Sequence, residues 1–152
     1  MDVNTTLIIN RNNILQDSYN QFQTTIDLDL TKAMQIFFID EVAQDTGGVY
    51  REWYTNIFNE IFSEDQRFFK LVKNKYGKTS YFFSDELPKY HDLEYQDYYM
   101  FIGKILSKAL FDKIILQIDL NIIILKRLLD IKIELEDLKY LDLQVIYNKL
   151  YS

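Results

Sequence analysis

Met34–Phe62, MQIFFIDEVAQDTGGVYREWYTNIFNEIF, carries both periodicities that decide this fold. It opens on a compact apolar and aromatic run bounded by Lys32 and Asp40, and a run that short predicts a mostly buried strand over Met34–Ile39. Asp45–Gly48, DTGG, then supplies turn residues. Beyond the turn Trp53, Tyr54, Ile57, Phe58, Ile61 and Phe62 recur at spacings of one and three, while Arg51, Glu52, Thr55, Asn56, Asn59 and Glu60 fill the opposite side. That is a strongly amphipathic helix. Burying each large apolar side chain contributes about 1.5–3 kcal/mol, so this face requires a partner element.

Working outward, Ile14, Leu15, Ser18, Tyr19 and Phe22 keep helical spacing and predict a short helix across Asn10–Gln21, followed by a connection at Thr24–Asp29. Arg67–Tyr76 and Thr79–Phe83, separated by Gly77, read as a hairpin-like excursion. Asp97 opens a second long helix whose buried stripe is Tyr98, Phe101, Ile102, Ile105, Leu106, Ala109 and Leu110. Asn121–Asp130 reads as a short helix, Glu134–Tyr140 as one turn or two, and Leu143–Leu150 as a last helix. The expected class is mainly α with a small β element, α+β, in one domain over residues 1–152.

Composition narrows the function. The chain has 17 Lys plus Arg against 23 Asp plus Glu, a net charge of −6, and such a field repels phosphate backbones, so nucleic acid is not an expected partner. There is no cysteine and a single histidine, His91, which removes disulfides, thiolate metal sites and cysteine nucleophiles together. MDVNTTLIIN has no basic leader region, and apolar runs such as Ile122–Leu125 fall far short of the roughly 18 residues that cross a bilayer. The expectation is no membrane association and a place in the cytosol or nucleus.

The motif-like stretches point the same way. Gly77-Lys78-Thr79 ends like a phosphate-binding loop, yet Val72 stands where the upstream glycine is required, so it reads as a plain turn. Asp40, Glu41 and Asp45 lack the alternation of a calcium loop and read as solvated acids beside a strand end. Glu134, Glu136 and Asp137 read as a water-facing surface, and His91 as exposed within KYHDLE. No residue is assigned to catalysis, to a cofactor or to a metal.

Phe38–Tyr54, FIDEVAQDTGGVYREWY, resembles the early signature of HECT-type ubiquitin ligases, with Glu41, Asp45, Gly47, Gly48, Arg51, Glu52 and Trp53 in register. Asp40 and Ala43 stand at positions where that family usually has glycine. Tyr98–Asp112, YYMFIGKILSKALFD, resembles the family's Phe-Ile-Gly helix through Phe101, Ile102 and Gly103, with Ser107 replacing a common glycine. Leu128-Leu129, Leu135–Leu138, Asp142–Leu150 and Asn10–Ser18 resemble further family features, in order, over nearly the whole chain.

The resemblance implies the first part of a HECT N-lobe. In that family the subdomain that binds a ubiquitin-conjugating enzyme and the C-lobe with its catalytic cysteine follow downstream, so both are expected beyond Ser152. Ubiquitin passes to that cysteine as a thioester and then to a substrate lysine. The implied partners are ubiquitin and a conjugating enzyme, acting through the complete domain, with the protein substrate unassigned. In one subgroup an N-lobe surface also holds ubiquitin noncovalently, and the positions matching its aromatics are Tyr81 and Phe111, where Phe111 replaces a tyrosine. General burial tendencies favour core packing for such aromatics. The rival reading is a standalone, catalytically inactive module that binds ubiquitin or another protein.

Overall fold

The computed structural model describes residues 3–42, 46–86 and 95–141. Its elements are β1 (Val3–Ile9), α1 (Ile14–Thr24), β2 (Ala33–Phe38), α2 (Thr46–Ile61), β3 (Phe69–Lys73), β4 (Thr79–Phe83), α3 (Tyr95–Phe111) and α4 (Ile122–Leu128), with 3-10 turns at Arg11–Asn13, Glu64–Gln66 and Leu135–Tyr140. Helices dominate and the strands form two small sheets, the α+β class that the periodicities predict. Asp45, Ala43, His91 and the Leu143–Leu150 helix lie outside the described residues.

β2 falls where its apolar run predicts, but its partner was not anticipated. β1 runs parallel to β2, pairing Leu7 with Ile36 and Ile9 with Phe38, and α1 connects the two strands. The alternation that makes β1 is present in the sequence: Thr5, Leu7 and Ile9 are buried while Thr6 and Ile8 are exposed. The outer edge of β1 is closed by side chains of α1. The Ile8 N–H donates to Gln21 Oε1 at 2.8 Å, the Gln21 amide returns a bond to the Ile8 carbonyl, and the Asn10 N–H donates to Asp17 Oδ2 at 2.8 Å. Helix side chains thus satisfy strand groups that would otherwise offer a template for another chain.

The strand end and the start of α2 correct one expectation. Gly47 and Gly48 belong to the first turn of α2, so no separate DTGG turn precedes the helix among the described residues. Glycine in a helix costs about 1 kcal/mol against alanine, and the buried face of α2 outweighs it, since packing supplies most helix stability in proteins. The chain reverses instead at Asp40, which adopts a left-handed φ of 62°. Aspartate tolerates that region better than most residues, which explains how the turn forms without the glycine common in the family.

Trp53, Tyr54, Ile57, Phe58 and Ile61 of α2 and Phe62 just beyond its end are buried, as are Ile14, Leu15, Ser18, Tyr19 and Phe22 of α1. From α3, Tyr98, Phe101, Ile102, Ile105, Leu106 and Ala109 enter the same core, whereas Leu110 is exposed and borders a cleft with Ile114 and Leu116. Aromatic contacts lock the three helices: Tyr19 stacks on Tyr98 at 3.9 Å, and Trp53 packs between Phe22, Tyr50 and Tyr54.

The hairpin is shorter than Arg67–Tyr76 suggests, because Asn74–Lys78 form its turn, with Gly77 at φ 81°. The Asn74 side chain accepts from the N–H groups of Tyr76 and Lys78, holding the turn closed. Residues 119–121 join the other edge of β4, through Tyr81 N–H to the Asp119 carbonyl and Asn121 N–H to the Tyr81 carbonyl. Asn121 then caps α4 by accepting from the Ile123 N–H. The final turn overturns the reading of Asp137 as water-facing: it is buried, and both carboxylate oxygens accept from Lys126, at 2.9 and 2.8 Å.

Candidate functional site

Glu41 and Glu52, from the strand end and from α2, are gripped by one residue that sequence reading did not single out. Arg11 Nε and Nη2 donate to the two oxygens of Glu41 at 2.6 and 2.7 Å, and Nη1 donates to Glu52 Oε1 at 2.6 Å. The guanidinium also lies 4.0 Å from the centre of the Phe38 ring. Hydrogen bonding from Arg11 holds the Glu41 carboxyl below its ordinary range. Glu41 is therefore not a free solvated acid, and its two-pronged geometry is the kind that arginine favours. Arg51, by contrast, is exposed and makes no ion pair among the described residues.

Trp53, fully buried, donates its indole N–H to Ser18 Oγ at 2.9 Å, so this signature residue joins α2 to α1. In α3, Phe101 and Ile102 point into the core. A Cβ at Gly103 would meet nothing within 4 Å beyond its own stretch of helix, and the residue borders an apolar cleft of about 480 Å³ with Phe69, Phe83, Tyr99, Ile124 and Leu128.

Tyr81 and Phe111 sit on different elements, Tyr81 within β4 and Phe111 at the end of α3. Tyr81 is half-buried, its ring 4.9 Å from that of Phe62, on a cleft of about 550 Å³ that also receives Glu64, Asp65 and Leu71. Phe111 is 57% exposed at the end of α3, with Lys108 Nζ 5.6 Å from its ring centre. Its exposure corrects the expectation of core packing for that residue.

Lys108 itself is buried, at 1% exposure. Its ammonium donates to the Lys32 carbonyl at 2.7 Å and to Asp112 Oδ1 at 3.1 Å, while Asp112 Oδ2 accepts from the Tyr50 hydroxyl. Tyr50 is in turn within hydrogen-bond reach of Tyr54, 3.2 Å between hydroxyls. Burial, first of all, pushes both phenols above their ordinary value. Every charge here has a partner, and the network ties α3 to α2 and to the start of β2, as a buried polar group in a core must.

Among the described residues no three His, Cys, Asp or Glu side chains gather as a metal site, and no helix is long and apolar enough to cross a membrane. The HECT-domain (ubiquitin-transferase) family model matches residues 55–152, beginning just after the signature segment, and the chain belongs to that family.

The E3 ubiquitin-protein ligase UPL2 of Arabidopsis thaliana is 29% identical over 134 residues, 88% of this chain and 4% of that protein. The probable E3 ubiquitin-protein ligase HERC4 of Homo sapiens is 30% identical over 137 residues, 89% of this chain and 12% of that protein. The E3 ubiquitin-protein ligase HUWE1 of Mus musculus is 27% identical over 110 residues, 72% of this chain and 2% of that protein. The chain thus spans a small fraction of the length of each of these relatives.

Proposed function

We propose that this chain is N-lobe scaffold of a HECT-type ubiquitin-protein ligase, working in protein ubiquitination in the cytoplasm or nucleus. It positions ubiquitin and a conjugating enzyme for a transfer whose thiol is supplied by another part of the ligase. The observation that carries this reading is family membership joined to a sequence of 152 residues with no cysteine. A ubiquitin thioester forms only on sulfur that can ionise to a thiolate, and methionine sulfur cannot.

Within that role the hairpin presents Tyr81, and the end of α3 presents Phe111, as aromatic contacts for noncovalent ubiquitin. The open cleft beside Tyr81 and the exposure of Phe111 support this use. Titrating isotope-labelled chain with ubiquitin tests it. Amide shifts should concentrate on β4 and the end of α3, and Tyr81→Ala or Phe111→Ala should weaken binding by about tenfold while the circular dichroism spectrum stays unchanged. Unperturbed spectra, or binding indifferent to both substitutions, would remove ubiquitin recognition from this surface.

A further inference from the structure

The outer edge of β3 borders the cleft beside Tyr81 and shares Glu64, Asp65 and Leu71 with it. In the β3–β4 ladder, Asn74 N–H bonds the Lys78 carbonyl and Ser84 N–H bonds the Phe68 carbonyl. Residue pairs alternate between bonded and non-bonded along an antiparallel ladder. With the register of Leu71 opposite Tyr81, the even-numbered residues of β3 therefore face β4, and Phe69, Leu71 and Lys73 turn their N–H and C=O groups outward. The same alternation turns Tyr81 away from β3, toward its bonds with residues 119–121. Among the described residues β4 is thus flanked on both sides and β3 on one. Among the described residues nothing caps β3 as Gln21 and Asp17 cap β1, and Leu71 at the centre of the outward edge is 57% exposed.

Charge runs along this edge with opposite signs at its ends. Lys73, Lys75 and Lys78 stand at the tip, and Glu64 and Asp65 stand at the root on the cleft beside Phe69; none of these five has an ion pair among the described residues. The other charges there are matched, Lys70 by Asp85 and Arg67 by Glu86. An edge that is basic at one end and acidic at the other is complementary to itself when reversed.

We propose that β3 pairs antiparallel with β3 of a second copy of this chain, about a two-fold axis at Leu71. Leu71 then faces Leu71 of the second copy, and Phe69 faces its Lys73. Each of the three facing pairs exchanges two backbone bonds, so all the outward N–H and C=O groups of Phe69, Leu71 and Lys73 are satisfied. The same rotation brings the lysine tip of each copy over the Glu64 and Asp65 root of the other. A patch that serves both partners identically is what two-fold symmetry requires. A short edge is a small interface, so the dimer is weak and concentration-dependent.

Sedimentation velocity over a concentration series, combined with amide hydrogen exchange, tests the pairing on the whole chain. The expected result is a monomer–dimer equilibrium that weakens with salt, with exchange at Phe69, Leu71 and Lys73 slowing as concentration rises. Leu71→Lys should weaken dimerisation by about tenfold or more, and Lys73→Glu and Glu64→Lys should each do the same alone. An equimolar mixture of Lys73→Glu and Glu64→Lys chains should recover the dimer, which a substitution that merely damages the fold would not do. A chain monomeric at every concentration overturns the proposal and leaves the edge to an extended segment of a different protein. A dimer untouched by Leu71→Lys overturns it as well.

Discussion

Trp53 and Ser18 meet at 2.9 Å, indole N–H to hydroxyl, where neither residue is reached by water. The bond joins α2 to α1 at the centre of the aromatic core, so the largest side chain in the chain has both its volume and its polar atom accounted for.

Trp53→Ala should therefore destabilise the domain by about 3–5 kcal/mol, through lost burial and the cavity left among Phe22, Tyr50 and Tyr54. Trp53→Phe, which keeps most of the apolar bulk but strands the Ser18 hydroxyl, should cost less. Chemical denaturation measures both, and an unchanged midpoint in the alanine variant would exclude this face from the core.

Arg11 ties the segment before α1 to the end of β2 and to α2, yet its partners are partly exposed, with side-chain exposures of 38%, 44% and 47% for Arg11, Glu41 and Glu52. Solvent screening limits such pairs, so Arg11→Ala should cost only about 1 kcal/mol, and less at high salt. Arg11→Lys should recover little, because an ammonium cannot bridge both oxygens of Glu41 and reach Glu52. A double-mutant cycle of Arg11 with Glu41 reads the coupling directly.

The left-handed Asp40 gives an independent check of the strand-to-helix junction. Asp40→Val should destabilise by about 1–2 kcal/mol, since a β-branched residue resists positive φ, while Asp40→Gly should be neutral or slightly stabilising. Equal midpoints for the two variants would mean that the backbone there is relaxed.

Three tyrosines set the alkaline limit. Burial raises Tyr50 and Tyr54 above their ordinary value and pushes Tyr99 up from 10.0 to about 12. A phenol whose folded pKa is raised contributes stability that is complete below the unfolded value. That stability is lost as pH climbs through the folded one. Stability should thus be flat up to about pH 10 and fall between there and about pH 12. Ultraviolet titration should show these phenols ionising late and together with unfolding. Smooth ionisation of all twelve tyrosines near pH 10 in a folded chain would contradict the burial described.

The helices were legible because their faces are long and regular: the apolar stripes of α2 and α3 each run over several turns and outweigh local noise. β1 was not, because TTLII is too short to separate from a loop until β2 lies alongside it. Start signals misled at Gly47-Gly48, where tertiary burial carries α2 through residues that local propensity assigns to a turn. Of the site, Glu41, Glu52 and Trp53 could be named from the signature pattern, but their pairing with Arg11 and Ser18 could not. Those contacts span 30 to 41 residues and leave no periodic trace. Asp137 failed for the same reason in reverse, since only the fold brings Lys126 to it.

The central claim is that this chain scaffolds ubiquitin transfer without holding the transferable thioester. The direct measurement incubates it with ubiquitin, activating enzyme, ATP and a panel of conjugating enzymes, and compares reducing with non-reducing gels. Conjugating enzymes should charge, while the chain itself carries no ubiquitin band that disappears on reduction. A thiol-sensitive ubiquitin adduct on the chain would contradict the account.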